Sequence, residues 1–212
     1  MTVHIAFEKK CIIPGPSGQL EASIMVEHNK PRQIWGIVCH PHSLYGGTMY
    51  NKVVTTLVKT FQGAGANTVR FNFRGVGKSA GSFDHGVGEY EDLIAVIQWL
   101  TKQHAPKAFW LAGFSFGSYV AALGAAHIPL VEKLIMVAPP VPRFPFNELP
   151  PILCQWLLVQ GEKDEIVSAD EVLAWVKTRH PAPTLIYFKD AGHFFHGMLL
   201  ELRERIERYI AR

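Results

Sequence analysis

Leu111-Ala112-Gly113-Phe114-Ser115-Phe116-Gly117 is the stretch on which the fold of this 212-residue chain turns. It closes the apolar run Ala108-Phe109-Trp110-Leu111-Ala112 and opens a run of small residues, Ser118 to Ala126. The pattern is a buried strand, a sharp turn and a helix. Gly-x-Ser-x-Gly at such a junction lifts the serine clear of the sheet at a strained backbone angle. Glycines are needed on either side because a Cβ there would strike the neighbouring strand and helix. Five residues with three fixed recur by chance; the strand before and the helix after make this match informative.

The same alternation repeats on both sides of the junction. Upstream, residues from Ile5 to Val26 alternate apolar and polar around the turn Pro14-Gly15-Pro16-Ser17-Gly18, which predicts an antiparallel hairpin at a sheet edge. Ile34 to Cys39 is apolar on both faces, as a strand covered by helices on two sides should be. Val53, Val54, Leu57, Val58 and Phe61 predict an amphipathic helix over Asn51 to Gln62, stopped by Gly63-Ala64-Gly65. A strand over Thr68 to Phe73, a glycine-rich loop over Arg74 to Gly88 and a helix from about Glu89 to Gln103 come next.

Downstream, strands are predicted at Leu134–Ala138, Cys154–Val159 and Thr184–Phe188. Ser168 caps a helix over Ala169 to Arg179, and a last helix turns Leu199, Leu202, Ile206 and Tyr209 inward. Strand alternating with helix means an α/β domain with a mostly parallel sheet and right-handed crossovers, one domain over residues 1–212. The loops after Cys39, Phe73, Ala112, Val159 and Phe188 all leave the C-terminal ends of strands, the edge where open α/β sheets bind ligands.

Composition narrows the function. Hydrophobic residues make up 48% and charged residues 18%, a globular balance, and the net charge of +3 is mild. No basic stripe argues for nucleic acid, and no apolar run approaches the roughly 20 residues of a membrane span. The N-terminus lacks a signal peptide's pattern. Cys11, Cys39 and Cys154 fit neither a disulfide framework nor a metal motif, so buried free thiols in the cytoplasm are expected.

A serine hydroxyl becomes a good nucleophile when a base removes its proton, and the base needs a third group to fix its tautomer. Nucleophile, acid, histidine is the chain order expected for an elbow on this architecture. Ser115, Asp164 and His193 satisfy it, each just after a strand. Asp190 rivals Asp164, but three residues before His193 it is poorly placed to meet the far ring nitrogen. His196 rivals His193, but Gly192-His193 follows its strand directly.

With those residues in hand, the chain resembles an α/β-hydrolase over essentially its full length. More narrowly it resembles small, lidless hydrolases marked by His-Pro-His followed by Tyr-Gly-Gly-Thr-Met, here within His40–Met49, and by Arg-Phe-Asn-Phe-Arg-Gly-Val-Gly at Arg70–Gly77. The resemblance implies a serine hydrolase of the carboxylesterase or thioesterase kind acting on a small acyl substrate. Ser115 is then the nucleophile, His193 the base and Asp164 the acid, and no metal or organic cofactor is needed. It also implies an oxyanion hole from the backbone N–H groups of Phe116 and His42. Pro41 has no N–H to offer, and Ser43 is the neighbouring option. An aminopeptidase-like amide hydrolase, with Glu89 or Glu148 binding a free amine, and a fold retained only for binding are the alternatives.

Other features read as structural. His40-x-His42 has metal-ligand spacing but no third ligand nearby in sequence. Gly75-Val76-Gly77-Lys78-Ser79 mimics the end of a phosphate-binding loop, yet the first glycine of that pattern falls at Asn72 and Gly81-Ser82 continues the loop. Arg74, Asp84 and Asp92 suit an ion-pair network bracing that loop. Tyr45, Met49, Phe114, Phe144, Phe146 and Phe194 are candidates for the pocket wall. The proline-rich Pro139–Pro151 stretch stands where larger relatives insert a lid; it can form a rim, or a contact surface for a second copy in a homodimer.

Overall fold

Eight strands form one sheet in the order β1-β2-β4-β3-β5-β6-β7-β8. The structure is a computed structural model that describes residues 7–26 and 33–212. β1 (Phe7–Gly15) and β2 (Gly18–Val26) are the hairpin at one edge, antiparallel to each other, and β2 is antiparallel to β4 (Asn67–Phe71). Ile5 and Ala6, which the sequence pattern includes in the hairpin, lie outside the described residues. β3 (Ile34–Cys39), β4, β5 (Ala108–Phe114), β6 (Val131–Val137), β7 (Gln155–Gly161) and β8 (Thr184–Phe188) run parallel.

Period two along the central strands sorts their side chains into two cores. Phe109 and Leu111 of β5 join Leu134, Met136, Trp156 and Leu158 on one face. That core is covered by α2 (Val87–His104), α3 (Phe116–His127) and α4 (Ala169–Lys177). Trp110, Ala112 and Phe114 face the other way, with Ile135, Val137, Leu157 and Val159, under α1 (Lys52–Gly63) and α5 (Leu199–Ile210). Both faces of the central sheet are therefore covered, which is why these strands are largely apolar instead of alternating.

Helix boundaries follow their caps. Asn51 accepts a hydrogen bond from Val53 N at 2.8 Å, so α1 starts one residue later than its periodicity suggests. α2 begins at Val87, two residues before the expected start, because Glu89 reaches back to accept from Gly86 N at 2.7 Å and Asp84 N at 2.9 Å. β4 ends at Phe71, where the expected strand ran to Phe73, because Asn72 and Phe73 turn their polar groups to the loops around the site.

The chain moves from β3 to β4 on one side, then crosses back so that β5 lies on the other side of β3. The crevice at the C-terminal ends of β3 and β5 is thus the topological switch point, where such sheets take ligands. Between β6 and β7 the proline-rich stretch makes only two short 3₁₀ turns, Val141–Arg143 and Phe146–Glu148, and no lid helix.

Candidate active site

Ser115 sits in the turn between β5 and α3 at φ 52°, ψ −123°, a backbone conformation that L-residues avoid. Packing on every side holds it there. Its N–H donates to Val137 O at 2.8 Å and its carbonyl accepts from Ser118 N at 2.8 Å and Ser118 Oγ at 2.6 Å. A Cβ on Gly113 would lie 2.1 Å from Gly117 O, and one on Gly117 2.4 Å from Cys39 O. Helix α3 can begin this close to β3 and β5 only because both residues are glycine.

His193 leaves the loop after β8 and is 2% exposed. Its Nε2 is 3.0 Å from Ser115 Oγ, and its Nδ1 is 2.9 Å from Asp164 Oδ2 and 3.1 Å from Oδ1. Asp164 comes from the loop after β7, and its side chain is fully buried. Burial alone would raise its carboxyl. The hydrogen bond and charge of His193 and the N–H groups of Val167 and Ile166 outweigh that and hold it below the usual carboxylate range. Those amides reach Oδ1 at 2.8 and 2.9 Å, while Gln160 Nε2 reaches Oδ2 at 3.2 Å.

The two rivals stand elsewhere. Asp190 is exposed and pairs with Lys163 Nζ at 2.7 Å. His196 is exposed and lies in the turn before α5, which starts at Leu199, not inside the helix as its sequence position suggests.

The loop after β3 faces the elbow from across the crevice. His40 is buried beneath it, its Nε2 accepting from Phe73 N at 3.0 Å and its Nδ1 donating to Pro41 O at 2.6 Å. Both ring nitrogens are therefore occupied by the backbone, which leaves His40 no lone pair for a metal. Burial pushes its pKa down to about 4, so the ring is neutral. Neither His42 N nor Phe116 N donates to a protein acceptor among the described residues. The His42 ring packs between Tyr45, Phe83 and Phe116 at centroid distances of 4.8, 4.4 and 5.2 Å.

Around Ser115 and His193 opens a cavity of about 450 Å³. Pro41, His42, Tyr45, Gly46, Gly47 and Asn51 line it, together with Pro140, Arg143 and Phe144 from the loop after β6. Glu165, Ile166 and Phe194 complete the lining beside Asp164 and His193. Of the six wall candidates from sequence, Tyr45, Phe144 and Phe194 line this cavity and three do not. Met49 is buried, its N–H held by Asn72 Oδ1 at 2.9 Å. Phe114 continues β5 into the α1–α5 core and supports the His193 ring from beneath at 5.0 Å. Phe146 packs edge-on against Trp175 and Tyr119 in the opposite core.

Both amine-binding candidates are corrected as well. Glu89 is buried with its carboxylate spent on the α2 cap, and Glu148 is exposed outside the cavity. The carboxylate that does border the cavity is Glu165, whose Oε2 accepts from His193 N at 3.1 Å. Glu165, Arg143 and Gln160 were all missed from sequence. Gln160 left a signal there, as the one polar residue in the buried run Trp156–Gly161.

The side chains of the remaining motifs make contacts within the fold. Arg74 clamps the loop after β4 through Asp92 (Nη2 to Oδ1 2.9 Å), with Asp84 at 3.7 Å; Glu91 at 3.2 Å is an addition. Ser79 of the phosphate-loop mimic bonds Asn72 O at 2.7 Å and accepts from Glu21 N at 2.9 Å. Of the three free cysteines only Cys39 is buried; Cys11 and Cys154 are half-buried, lying towards the sheet's edges. No described helix is long and apolar enough to cross a membrane.

Sheet order, elbow geometry and the position of the crevice define an α/β-hydrolase. The α/β-hydrolase fold family matches residues 37–153, more than half of the chain, and the chain belongs to it. It is 48% identical to an α/β serine hydrolase homologue from Coxiella burnetii, covering 95% of this chain and 96% of that one at a TM-score of 0.91. A serine hydrolase without a lid from Xanthomonas campestris is 41% identical over 100% of this chain and 96% of its own, also at 0.91. The uncharacterized protein RP471 of Rickettsia prowazekii is 35% identical over 206 residues, 92% of this chain and 86% of its own.

Proposed function

We propose that the protein hydrolyses carboxylic esters, thioesters or similar acyl bonds through an acyl-enzyme formed on Ser115. The observation that carries this reading is the unbroken hydrogen-bonded line from Asp164 through both nitrogens of His193 to Ser115 Oγ. Asp164, held ionised, accepts from Nδ1–H and leaves Nε2 as the lone-pair nitrogen facing the hydroxyl. Nε2 takes the Oγ proton as Oγ attacks the acyl carbonyl. The carbonyl oxygen then carries the negative charge, and the N–H groups of His42 and Phe116 donate to it. Losing one such donor typically costs about 2.7–4 kcal/mol of barrier.

Collapse of the tetrahedral adduct breaks the bond to the leaving group, which departs with the proton from Nε2. A water repeats the sequence in reverse: its proton goes to Nε2, its oxygen attacks the acyl carbon, and Ser115 Oγ leaves as the hydroxyl. The connection between β6 and β7 carries no lid helix, and the cavity is small. We therefore expect faster turnover of short or polar acyl groups than of long-chain triglycerides.

A fluorophosphonate probe tests the chemistry directly. Wild type should label at Ser115 and Ser115→Ala should not, while an unlabelled wild type would make the fold a binding module. Acetate and butyrate aryl esters, thioesters and peptide amides offered in parallel would then sort the leaving group.

A further inference from the structure

Gln160 does something that the packing of β7 does not require. Trp156 and Leu158 point into the α2–α4 core, and Gln160 continues that face with no exposed surface. Its Nε2 donates to Gly161 O at 3.1 Å and to Asp164 Oδ2 at 3.2 Å. Its Oε1 is buried with no partner among the described residues. An apolar side chain of the same length would fill the space without burying an unpaired amide oxygen, at the cost of the donor to Gly161 O and Asp164 Oδ2. The amide cannot be turned around either, because Oε1 would then face the Asp164 carboxylate and Gly161 O.

The two oxygens of Asp164 are held differently. Oδ1 accepts from the main-chain N–H groups of Ile166 and Val167. Oδ2, which makes the shorter contact to His193 Nδ1, has one other donor among the described residues, and it is Gln160. Main chain thus anchors one end of the carboxylate, while a buried side chain from the strand below fixes the end that meets the imidazole.

We propose that Gln160 is the positioning residue of this site, setting Asp164 Oδ2 against His193 and sharing its negative charge. The assignment rests on the Ser115–His193–Asp164 reading above. It predicts that the amide N–H is needed for turnover and that the residue's volume is not.

Two variants test it, assayed with a short-chain aryl ester beside wild type and Ser115→Ala. Gln160→Met keeps length and volume and removes the donor together with the unpaired acceptor. Its kcat should fall at least tenfold with KM within twofold, while circular dichroism and a cooperative thermal transition show that the fold is kept. Gln160→Glu keeps the shape; as a neutral carboxyl it can donate to Oδ2, and once ionised it repels Asp164. Its kcat should approach wild type at low pH and fall on a new basic limb absent from wild type, within the pH range where circular dichroism stays constant.

Wild-type kcat in Gln160→Met, or a Gln160→Glu profile parallel to wild type, overturns the assignment alone. A wild type that neither turns over nor labels overturns the triad reading and this assignment together.

Discussion

One cavity is bordered by a buried group, proposed above to carry the chemistry, and by an exposed rim. In the first, Ser115, His193 and Asp164 come from three separate loops, and each is held by further hydrogen bonds: Val137 O and Ser118 N at the elbow, the Glu165 carboxylate at the His193 amide, and the Ile166 and Val167 amides at Asp164. On the second, Tyr45 is 83% exposed and its hydroxyl has no protein partner among the described residues; Phe194 is 37% exposed. Positioning chemistry to a fraction of an ångström takes over-determined contacts, whereas admitting a substrate takes surface that is not spoken for. The difference teaches where substitutions should act on rate and where only on affinity.

The buried group can be broken most severely at its first atom. Ser115→Ala should lower kcat by roughly 10⁵–10⁶-fold if Ser115 Oγ is the nucleophile. Thermal unfolding of the variant should stay near wild type or shift modestly, since the deleted atom is small. Asp164→Asn comes next: an amide nitrogen toward Nδ1 favours the wrong imidazole tautomer, and a loss of about 10⁴-fold in kcat with little change in KM is expected. A loss confined to KM would move Asp164 from the chemistry to the binding side.

His40 extends the contrast to stability, because it supports the lining loop after β3 from within the core. An unfolded histidine binds a proton below about pH 6.5, whereas the buried one stays neutral down to about 4. In that window the unfolded state holds the extra proton, so stability is complete above pH 6.5 and falls as pH falls toward 4. The span corresponds to roughly 3 kcal/mol. Denaturant unfolding at pH 7 and pH 4.5 should show a steeper drop for wild type than for His40→Gln, whose side chain does not titrate. Equal drops would mean that protonation of His40 does not govern the loop.

The grouping of Ser115, Asp164 and His193 was also the legible part. Ser115, Asp164 and His193 each follow a strand whose apolar run is visible in sequence, and chain order then restricts which acid and which histidine can meet. The α/β alternation was legible for the same reason, since the central strands are covered on both faces and are largely apolar. Pocket-wall aromatics were not. Phe114 and Phe144 are the same residue type near the same site, and only their positions in the fold send one into the α1–α5 core and the other into the cavity. Glu89 escaped for a different reason: a carboxylate three residues into a helix is as good a cap as it is a ligand. Gln160 stands out in sequence as a polar residue in a buried run, but its partner does not, because Asp164 meets it through a side-chain contact across a turn.

The smallest expected effects belong to the rim, and they test the comparison most sharply. Tyr45 packs its ring against His42 at 4.8 Å, and Phe194 touches the His193 ring edge-on at 5.1 Å. If the rim only borders the substrate, Tyr45→Ala should change KM for short aryl esters by about two- to tenfold and leave kcat near wild type, the value of a partly buried aromatic contact. Stability should hardly move, since so little of the ring is buried. Phe194→Ala offers the graded control, because its ring meets both the cavity and the base. A larger share of its effect should fall on kcat than for Tyr45→Ala. A fall in kcat for Tyr45→Ala comparable to that of Asp164→Asn would place the exposed wall in the chemistry, and the division between a locked catalytic side and a free binding side would not hold.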